Sequence, residues 1–457
     1  MEPQYKKRSA FSGKIGFVLS AAGASVGLGN IWRFPYLAAK YGGGIFLLIY
    51  ILLAFTFGYT MIVAETALGR MTKKSPVGAF AAFGKKGGLS FGGWINAIIP
   101  ILIVPYYSVI GGWVIRYLAE YIAGHGKELA TDGYFSSFIS NGASAEICFV
   151  IFTIFTLAII FAGVRNGVER VSKVMMPILV VLSVIIAGYS VTRPGALAGV
   201  KYFLVPNVAH FSWMTVVTAM GQMFYSLSIA MGILVTFGSY MRKDTSIEDS
   251  TRNVEIFDTA IAMMAGLMII PAVFAFSGGD PDTLQAGPSL MFITIPKVFA
   301  NMGFGTVVGI LFFVLVLFAA VTSSIALTES AVSTFEDELG WGRKKATVLT
   351  GVIMITLGTL SCLGYGPLDF VKIIGMQFLD FFDFLTNSVM MPIAALMTSL
   401  LVSRVIGVDK IEEEIRHGES TFRRKKIFVV MIKYLCPIFA LIILASSVAN
   451  AFGWIAM

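Results

Sequence analysis

An apolar run from Phe11 to Leu37 is long enough to cross a bilayer, yet its centre reads Gly23-Ala24-Ser25-Val26-Gly27-Leu28-Gly29-Asn30 and then Ile31-Trp32-Arg33-Phe34-Pro35. Gly27 and Gly29 loosen the backbone there, Asn30 is polar and Arg33 is charged. Hydrocarbon tolerates unwound backbone only where protein buries it or where it lines a cavity. An arginine within a span marks a functional site by default. The stretch therefore predicts a helix broken at mid-membrane, with carbonyls and amides released to hold an ion or a small zwitterion. Small residues also let helices approach closely, but that alone leaves Asn30 and Arg33 without a purpose. The GxG pair has no preceding strand, so it is not a dinucleotide loop.

The rest of the chain is built to match. Of 457 residues, 57% are apolar and 13% charged, against about 25% charged in soluble domains. Hydropathy predicts an all-α polytopic membrane protein of about eleven transmembrane helices. The net charge of +8 suggests neither nucleic acid nor an acidic substrate. With the N-terminus inside, about 26 of the 34 Lys/Arg lie on cytoplasmic segments and about six outside, while Arg33 and Arg116 lie within spans. This orientation puts the N-terminus in the cytoplasm and the C-terminus outside the cell (cytoplasmic) membrane, with the lipid bilayer as the first partner. Lys6, Lys7 and Arg8 precede a first helix expected to be retained rather than cleaved. Cys148, Cys362 and Cys436 are scattered and suggest neither a disulfide framework nor a metal cluster. Two outer loops are long, 125–146 and 278–302, and the second includes Ser289-Leu290-Met291-Phe292-Ile293-Thr294-Ile295-Pro296, which could dip back as a cap. The inner segment 408–426, with Glu412, Glu413, Glu414, Arg423, Arg424, Lys425 and Lys426, reads as a solvated charged linker.

A second interruption falls in the sixth span, at Phe224-Tyr225-Ser226-Leu227-Ser228-Ile229-Ala230-Met231-Gly232. Spans one and six are five apart, the spacing of an inverted repeat of helices 1–5 and 6–10. Paired interrupted spans point to a transporter's site. The expected organisation is a ten-helix transport core at 1–403, with repeats at about 8–192 and 212–403. A cytoplasmic linker and an eleventh helix follow at 404–457.

At this point the motifs resemble a known family. Gly27-Leu28-Gly29-Asn30-Ile31-Trp32-Arg33-Phe34-Pro35-Tyr36, followed by Tyr41-Gly42-Gly43-Gly44, is similar to the first-helix signature of the neurotransmitter:sodium symporters. Gly221-Gln222-Met223-Phe224-Tyr225-Ser226-Leu227-Ser228 and Thr322-Ser323-Ser324 resemble that family too, and the match runs from Arg8 to about residue 400. The resemblance implies a five-plus-five inverted-repeat helical bundle with broken helices 1 and 6. It also implies sodium-coupled uptake of amino acids or amines by alternating access, in the bacterial, eleven-helix form. Many members carry a twelfth span, which would lie outside the ten-helix core.

Sodium is a hard cation and requires oxygen ligands. The resemblance implies two sites. One would use the Asn30 side chain, the Ser25 carbonyl, Ser226, Asp258 and the substrate carboxylate. The other would use carbonyls of Gly23, Val26 and Ala319 with the hydroxyls of Thr322 and Ser323. A lone Thr or Ser in a helix is more often back-bonded to a preceding carbonyl. Asp258, taken alone, is an interfacial carboxylate within reach of Arg252. Chloride-dependent relatives carry an uncharged residue on this turn. Tyr50, Gln222 and Ser226 match the residues around that anion, so Asp258 would supply the charge itself and no chloride is expected.

Freed amides of Leu28 and Gly29 at a half-helix N-terminus favour a carboxylate. Tyr107 resembles the family tyrosine that donates to the same group. Carbonyls near Ala24 and from Tyr225 to Ser228 would accept from the ammonium, and Ile103, Tyr225, Ser228, Ile229, Met231, Ser323 and Leu327 would line the side-chain pocket. No charged side chain is aimed at the substrate, which implies a neutral amino acid, with adaptable Met231 favouring a large hydrophobic or aromatic one. Arg33 and Asp383 resemble the outer gate, and Arg8 and Asp337, with Ser239 and Tyr240 nearby, the inner one. Phe11 stands where many relatives have tryptophan. The alternatives are a proton-coupled carrier with Asp258 as its proton site, or a receptor that binds without translocating. An enzyme is not expected, because His125, His210 and His417 lie in loops or at span edges and no nucleophile–base pair is visible.

Overall fold

The computed structural model describes residues 9–84, 88–278 and 287–454. Among them, nine helices are long and apolar enough to cross a membrane: Gly44–Thr72, Ser90–Ile122, Gly142–Phe161, Val164–Val191, Ile247–Ser277, Gly305–Glu338, Arg343–Leu363, Phe378–Ile406 and Lys425–Ala451. A bent pair, Lys14–Ser25 and Gly29–Lys40, makes a tenth span with a 54° change of direction. In sixth position stand two shorter helices, Trp213–Ser226 and Ile233–Tyr240. The nine helices and the bent pair make ten spans, one short of the eleven expected, and these two short helices stand where the remaining span was expected.

Both breaks fall where the sequence places them. In the first span Val26 leaves the helical region with ψ 88°, and the chain resumes as a π-turn over Gly29–Arg33. Single π-turns recur at functional sites because they release backbone groups from the regular ladder. In the sixth span the backbone reverses through positive φ at Ser228 (53°), Ala230 (59°) and Gly232 (70°). Only Gly232 adopts that region without steric cost. Outside the break the sixth span is conventionally built, with a reciprocal capping box between Ser212 and Thr215 at its start.

The broken spans are held by long continuous ones. Lys14–Ser25 packs on the fifth, seventh and eighth spans, and the eighth also packs on the third. The inner half of the sixth span lies on the second with little between the backbones. A Cβ on Gly69 would stand 1.9 Å from the Val235 carbonyl, and one on Gly238 2.4 Å from that of Thr66. The outer segment Leu290–Ala300 is helical, and Leu290, Met291 and Phe292 are buried against it and its neighbours. Phe292 stacks on Phe135 and meets Trp113 and Tyr117 edge-on.

The segment 408–426 departs from its expected solvated state. Helix Val408–Arg416 buries Val408, Ile411, Glu414 and Ile415. Arg70, wholly inaccessible at the end of the second span, bonds Glu414 at 2.6 Å and the Thr245 carbonyl at 2.6 Å. Further along, backbone amides of Arg423 and Arg424 donate to Glu248 at 2.8 and 2.9 Å. A narrow apolar stripe and a few buried ion pairs outweigh the charge count that suggested solvation.

Candidate functional site

The two breaks face each other across a tight cavity of about 30 Å³ lined by Ala24, Ser25, Gly27, Leu28, Gly29, Asn30, Ile103, Tyr107, Tyr225, Ser226, Ser228, Met231, Ile233, Ser323 and Leu327. Every residue predicted to contact substrate is there except Ile229. That side chain is fully buried in the apolar core, because the left-handed residues on either side of it turn it out of the cavity. Ile233 takes part instead. The wall holds backbone amides and carbonyls, hydroxyls, the Asn30 amide and apolar side chains, but no charged one.

Asn30 bridges the cavity to a buried polar cluster. Its Oδ1 accepts from the Gly27 amide at 3.3 Å, while its Nδ2 donates to Asp258 Oδ1 at 2.8 Å. Asp258 also accepts from Tyr50 at 2.8 Å and from the Ser226 hydroxyl at 2.9 and 3.0 Å. Arg252 is not its partner: that guanidinium lies 3.5 Å from Asp249. Asn30, Tyr50 and Asp258 are all inaccessible. A buried carboxylate with three donors and, among the described residues, no cation is an arrangement in want of positive charge. Gln222 donates to the Gly29 carbonyl at 3.1 Å and so fastens the π-turn to the sixth span.

A second cluster of oxygens lies where the first span meets the eighth. Ser323 Oγ is 3.2 Å from the Gly23 carbonyl, 3.1 Å from that of Ala24 and 3.5 Å from that of Val26. Ser228 donates to the same Ala24 carbonyl at 3.0 Å. Thr322 is back-bonded to Phe318 and Ala319 at 3.0 and 3.2 Å. Its Cβ nonetheless stands 3.1 Å from where a Cβ on Gly23 would be. Ser25 is likewise back-bonded, to Ala21 at 3.1 Å. On the opposite wall the Leu28 amide donates to the Tyr107 hydroxyl at 3.3 Å, placing a donor amide and a phenol side by side.

Above the cavity, Tyr225 covers Gly29 so closely that a Cβ there would lie 2.4 Å from the ring. Arg33 sits over the same ring at 5.4 Å. Among the described residues no direct ion pair joins Arg33 to Asp383. Arg33 is occupied by the Tyr225 π-face, and Asp383 accepts from Tyr106 at 3.1 Å and Asn387 at 2.6 Å. The expected outer pair therefore makes no direct ion pair in this geometry. Below the cavity Arg8 lies outside the described residues, so the inner pair is represented by Asp337 alone, which accepts from the Ser75 amide at 2.6 Å. Tyr240 donates to Glu329 at 2.7 Å, and Arg343 pairs with the same carboxylate at 2.5 Å. Phe11 fills the space beneath, edge-on to Phe17, Phe237 and Tyr240.

Sequence reasoning missed Glu65, Tyr106, Glu329, Arg343 and Asn387. Glu65 is fully buried in the second span and accepts from the Ala230 amide at 2.8 Å, which anchors the sixth-span break. A carboxylate in the middle of an apolar run was the available signal, as it was for Glu329. Tyr106 and Asn387 had none, since a tyrosine beside Tyr107 and an asparagine in the tenth span are ordinary residues until they meet.

These features define a class: a polytopic helical carrier whose two interrupted spans enclose a charge-free pocket flanked by oxygen clusters. The model of the sodium:neurotransmitter symporter family matches residues 8–130 and 134–453, and the chain belongs to that family. The YhdH sodium-dependent transporter of Bacillus subtilis (strain 168) is 36% identical over 418 residues, covering 91% of this chain and 92% of its own. A sodium-dependent transporter of Haemophilus influenzae is 32% identical over 98% of this chain and 100% of its own. The human sodium- and chloride-dependent GABA transporter 2 is 27% identical over 90% of this chain and 75% of its own. Among solved structures, MhsT in complex with L-phenylalanine superposes with a TM-score of 0.86 at 34% identity, over 96% of this chain and all of the other. The chain is a multi-pass membrane transporter of the sodium-coupled kind, not an enzyme.

Proposed function

We propose that this protein couples sodium to the uptake of a neutral, large hydrophobic or aromatic amino acid by alternating access, without chloride. The observation that carries the reading is the cavity wall, which offers groups for a zwitterion's two ends and apolar surface for the rest. The carboxylate would sit against the Leu28 and Gly29 amides and the Tyr107 hydroxyl, where a half-helix N-terminus favours negative charge. The ammonium would face carbonyls of Ala24 and of the sixth-span break. Ile103, Met231, Ile233 and Leu327 would hold the side chain, and MhsT, a relative crystallised with L-phenylalanine, supports an aromatic occupant.

Two sodium ions would travel as co-substrates. The first would take Asn30 Oδ1, the Ser25 carbonyl, Ser226 and the substrate carboxylate, with Asp258 supplying negative charge from the far side of Asn30 at 2.8 Å. The second would lie among the carbonyls of Gly23, Val26 and Ala319, with Thr322 and Ser323 turning their hydroxyls from helix carbonyls to the ion. Arg33 and Asp383 would close over Tyr225 once both are loaded. The core would span 1–403, with repeats 8–192 and 212–403, and 404–457 would follow it. The N-terminus would be cytoplasmic and the C-terminus extracellular.

The deciding experiment is uptake of labelled L-phenylalanine by proteoliposomes with an inward sodium gradient, in chloride and in gluconate. Accumulation that requires sodium and is indifferent to chloride is the expected result. Accumulation driven by a proton gradient without sodium would make the protein a proton-coupled carrier, and binding without accumulation would make it a receptor.

A further inference from the structure

The Asp383 carboxylate is held in an unusual way for a gate residue that is exposed. Both of its hydrogen bonds fall on one oxygen: Oδ1 accepts from Tyr106 at 3.1 Å and from Asn387 Nδ2 at 2.6 Å. Asn387 Nδ2 also reaches the Tyr106 hydroxyl at 3.3 Å, which closes a triangle, and Thr386 lies 3.4 Å from that hydroxyl. Oδ2 carries no hydrogen bond among the described residues. Tyr106 is nearly inaccessible, so its hydroxyl is a fixed post projecting from the third span to the tenth. Asn387 is one helical turn beyond Asp383 and fixes the carboxylate from its own helix.

The next residue along the third span, Tyr107, points into the cavity and meets the Leu28 amide at 3.3 Å. Consecutive helical residues diverge by about 100°, so one peptide presents one phenol to the binding site and the other to the outer carboxylate. Arg33 meanwhile rests over Tyr225 at 5.4 Å and makes no direct ion pair with a carboxylate among the described residues.

We propose that Tyr106 is a positioning residue of the outer gate: with Asn387 it pins one oxygen of Asp383 and presents the other to Arg33. The Tyr106–Tyr107 step thereby ties closure of the gate to occupation of the cavity. The inference rests on Arg33 and Asp383 acting as the outer gate. A charge-assisted bond to a pre-aimed carboxylate forms without the entropic penalty of fixing a mobile one, so loss of the Tyr106 hydroxyl weakens the closed state and not the sodium sites. Tyr107 stays in place, because Tyr106→Phe keeps the ring and removes one atom.

The test follows dissociation of labelled L-phenylalanine from the purified full-length protein in sodium, for the parent, Tyr106→Phe, Asp383→Asn and the double variant. Stabilisation of each by sodium alone is read in parallel by thermal unfolding. Tyr106→Phe is expected to speed dissociation about ten- to 150-fold, the span expected for one hydrogen bond to a charged group. Its sodium-induced stabilisation should equal that of the parent, and the double variant should release no faster than Asp383→Asn, since the hydroxyl acts only through that carboxylate. Fast release from Asp383→Asn with parental release from Tyr106→Phe overturns the proposal and leaves the gate standing. Parental release from both removes the gate itself. Multiplying effects in the double variant overturn the proposal by giving Tyr106 an independent role. Should Tyr106→Phe fail to fold, Asn387→Ala removes the second donor and carries the same expectation.

Discussion

Asn30 is the residue on which the most chemistry converges, because its two ends face different partners. Its oxygen belongs to the broken backbone, at 3.3 Å from the Gly27 amide, and its nitrogen to Asp258 at 2.8 Å. Asn30→Leu keeps the volume and removes both, which leaves the Asp258 carboxylate short of a donor in a buried site. Sodium-driven accumulation of L-phenylalanine should then fall to the level of empty liposomes. Asp258→Asn is the subtler change. It preserves shape while withdrawing the negative charge that the proposed first sodium would meet, so the sodium concentration for half-maximal uptake should rise at least about tenfold. Parental uptake should be the same in chloride and gluconate, and a parental requirement for chloride would remove Asp258 from the charge-compensating role. Asn30 itself was legible in the sequence, since an amide in an apolar run has to be explained. The partnership with Asp258 was not, because linear proximity offered Arg252 and only the packing of the first span on the seventh brings Asn30 there.

At the scale of elements, the interruptions are legible to different degrees. Gly27 and Gly29 announce the first break outright. In the sixth span only Gly232 is a residue made for positive φ, yet Ser228 and Ala230 share that conformation. Their strain is held by partners from elsewhere, Glu65 on the Ala230 amide and the Ala24 carbonyl on the Ser228 hydroxyl, and no local pattern encodes such partners. The docked linker was hidden for another reason. Val408, Ile411 and Ile415 recur at helical spacing, but the acidic and basic residues between them dominate any composition window. Close packing of the second span on the inner sixth yields a prediction at this scale. A side chain at Gly69 meets the Val235 carbonyl and the Ser239 amide, both backbone, so nothing flexible can yield. Gly69→Val should destabilise the protein by about 1–3 kcal/mol or more, as overpacking does. Thermal unfolding in detergent should show this as a lowered midpoint, with Gly221→Ala, which has open space around it, as the matched control.

For the whole molecule, the two ends of the cavity are in different condition. At the outer end no direct ion pair joins Arg33 to Asp383 among the described residues, and Asp383 is exposed. At the other, Phe11 is packed among three aromatic rings, and Tyr240 from the sixth span and Arg343 from the ninth meet on Glu329 of the eighth. With the N-terminus cytoplasmic as proposed, this asymmetry is what a carrier closed toward the cytoplasm requires, and its maintenance depends on contacts that exist in one state only. Glu329 is the joint of that closure: it is inaccessible and takes both Tyr240 and Arg343. Glu329→Gln keeps one acceptor for Tyr240 and removes the nearer partner charge of Arg343, leaving Glu336 at 3.9 Å. An inward-open state, in which Tyr240 has moved away, loses less by the change than the closed state does. The population should move toward inward-open by about tenfold, the shift that accompanies roughly 1.4 kcal/mol of differential stability. A single cysteine placed at Ser239, now buried beside Tyr240, reads this directly through its rate of maleimide labelling from the cytoplasmic face. Labelling should be about tenfold faster in Glu329→Gln than in the parent background. Sodium should slow it in both, because ions bound between the first, sixth and eighth spans hold those elements together. Equal labelling in the two backgrounds would mean that the Tyr240–Glu329–Arg343 joint contributes equally to both states and does not bias access.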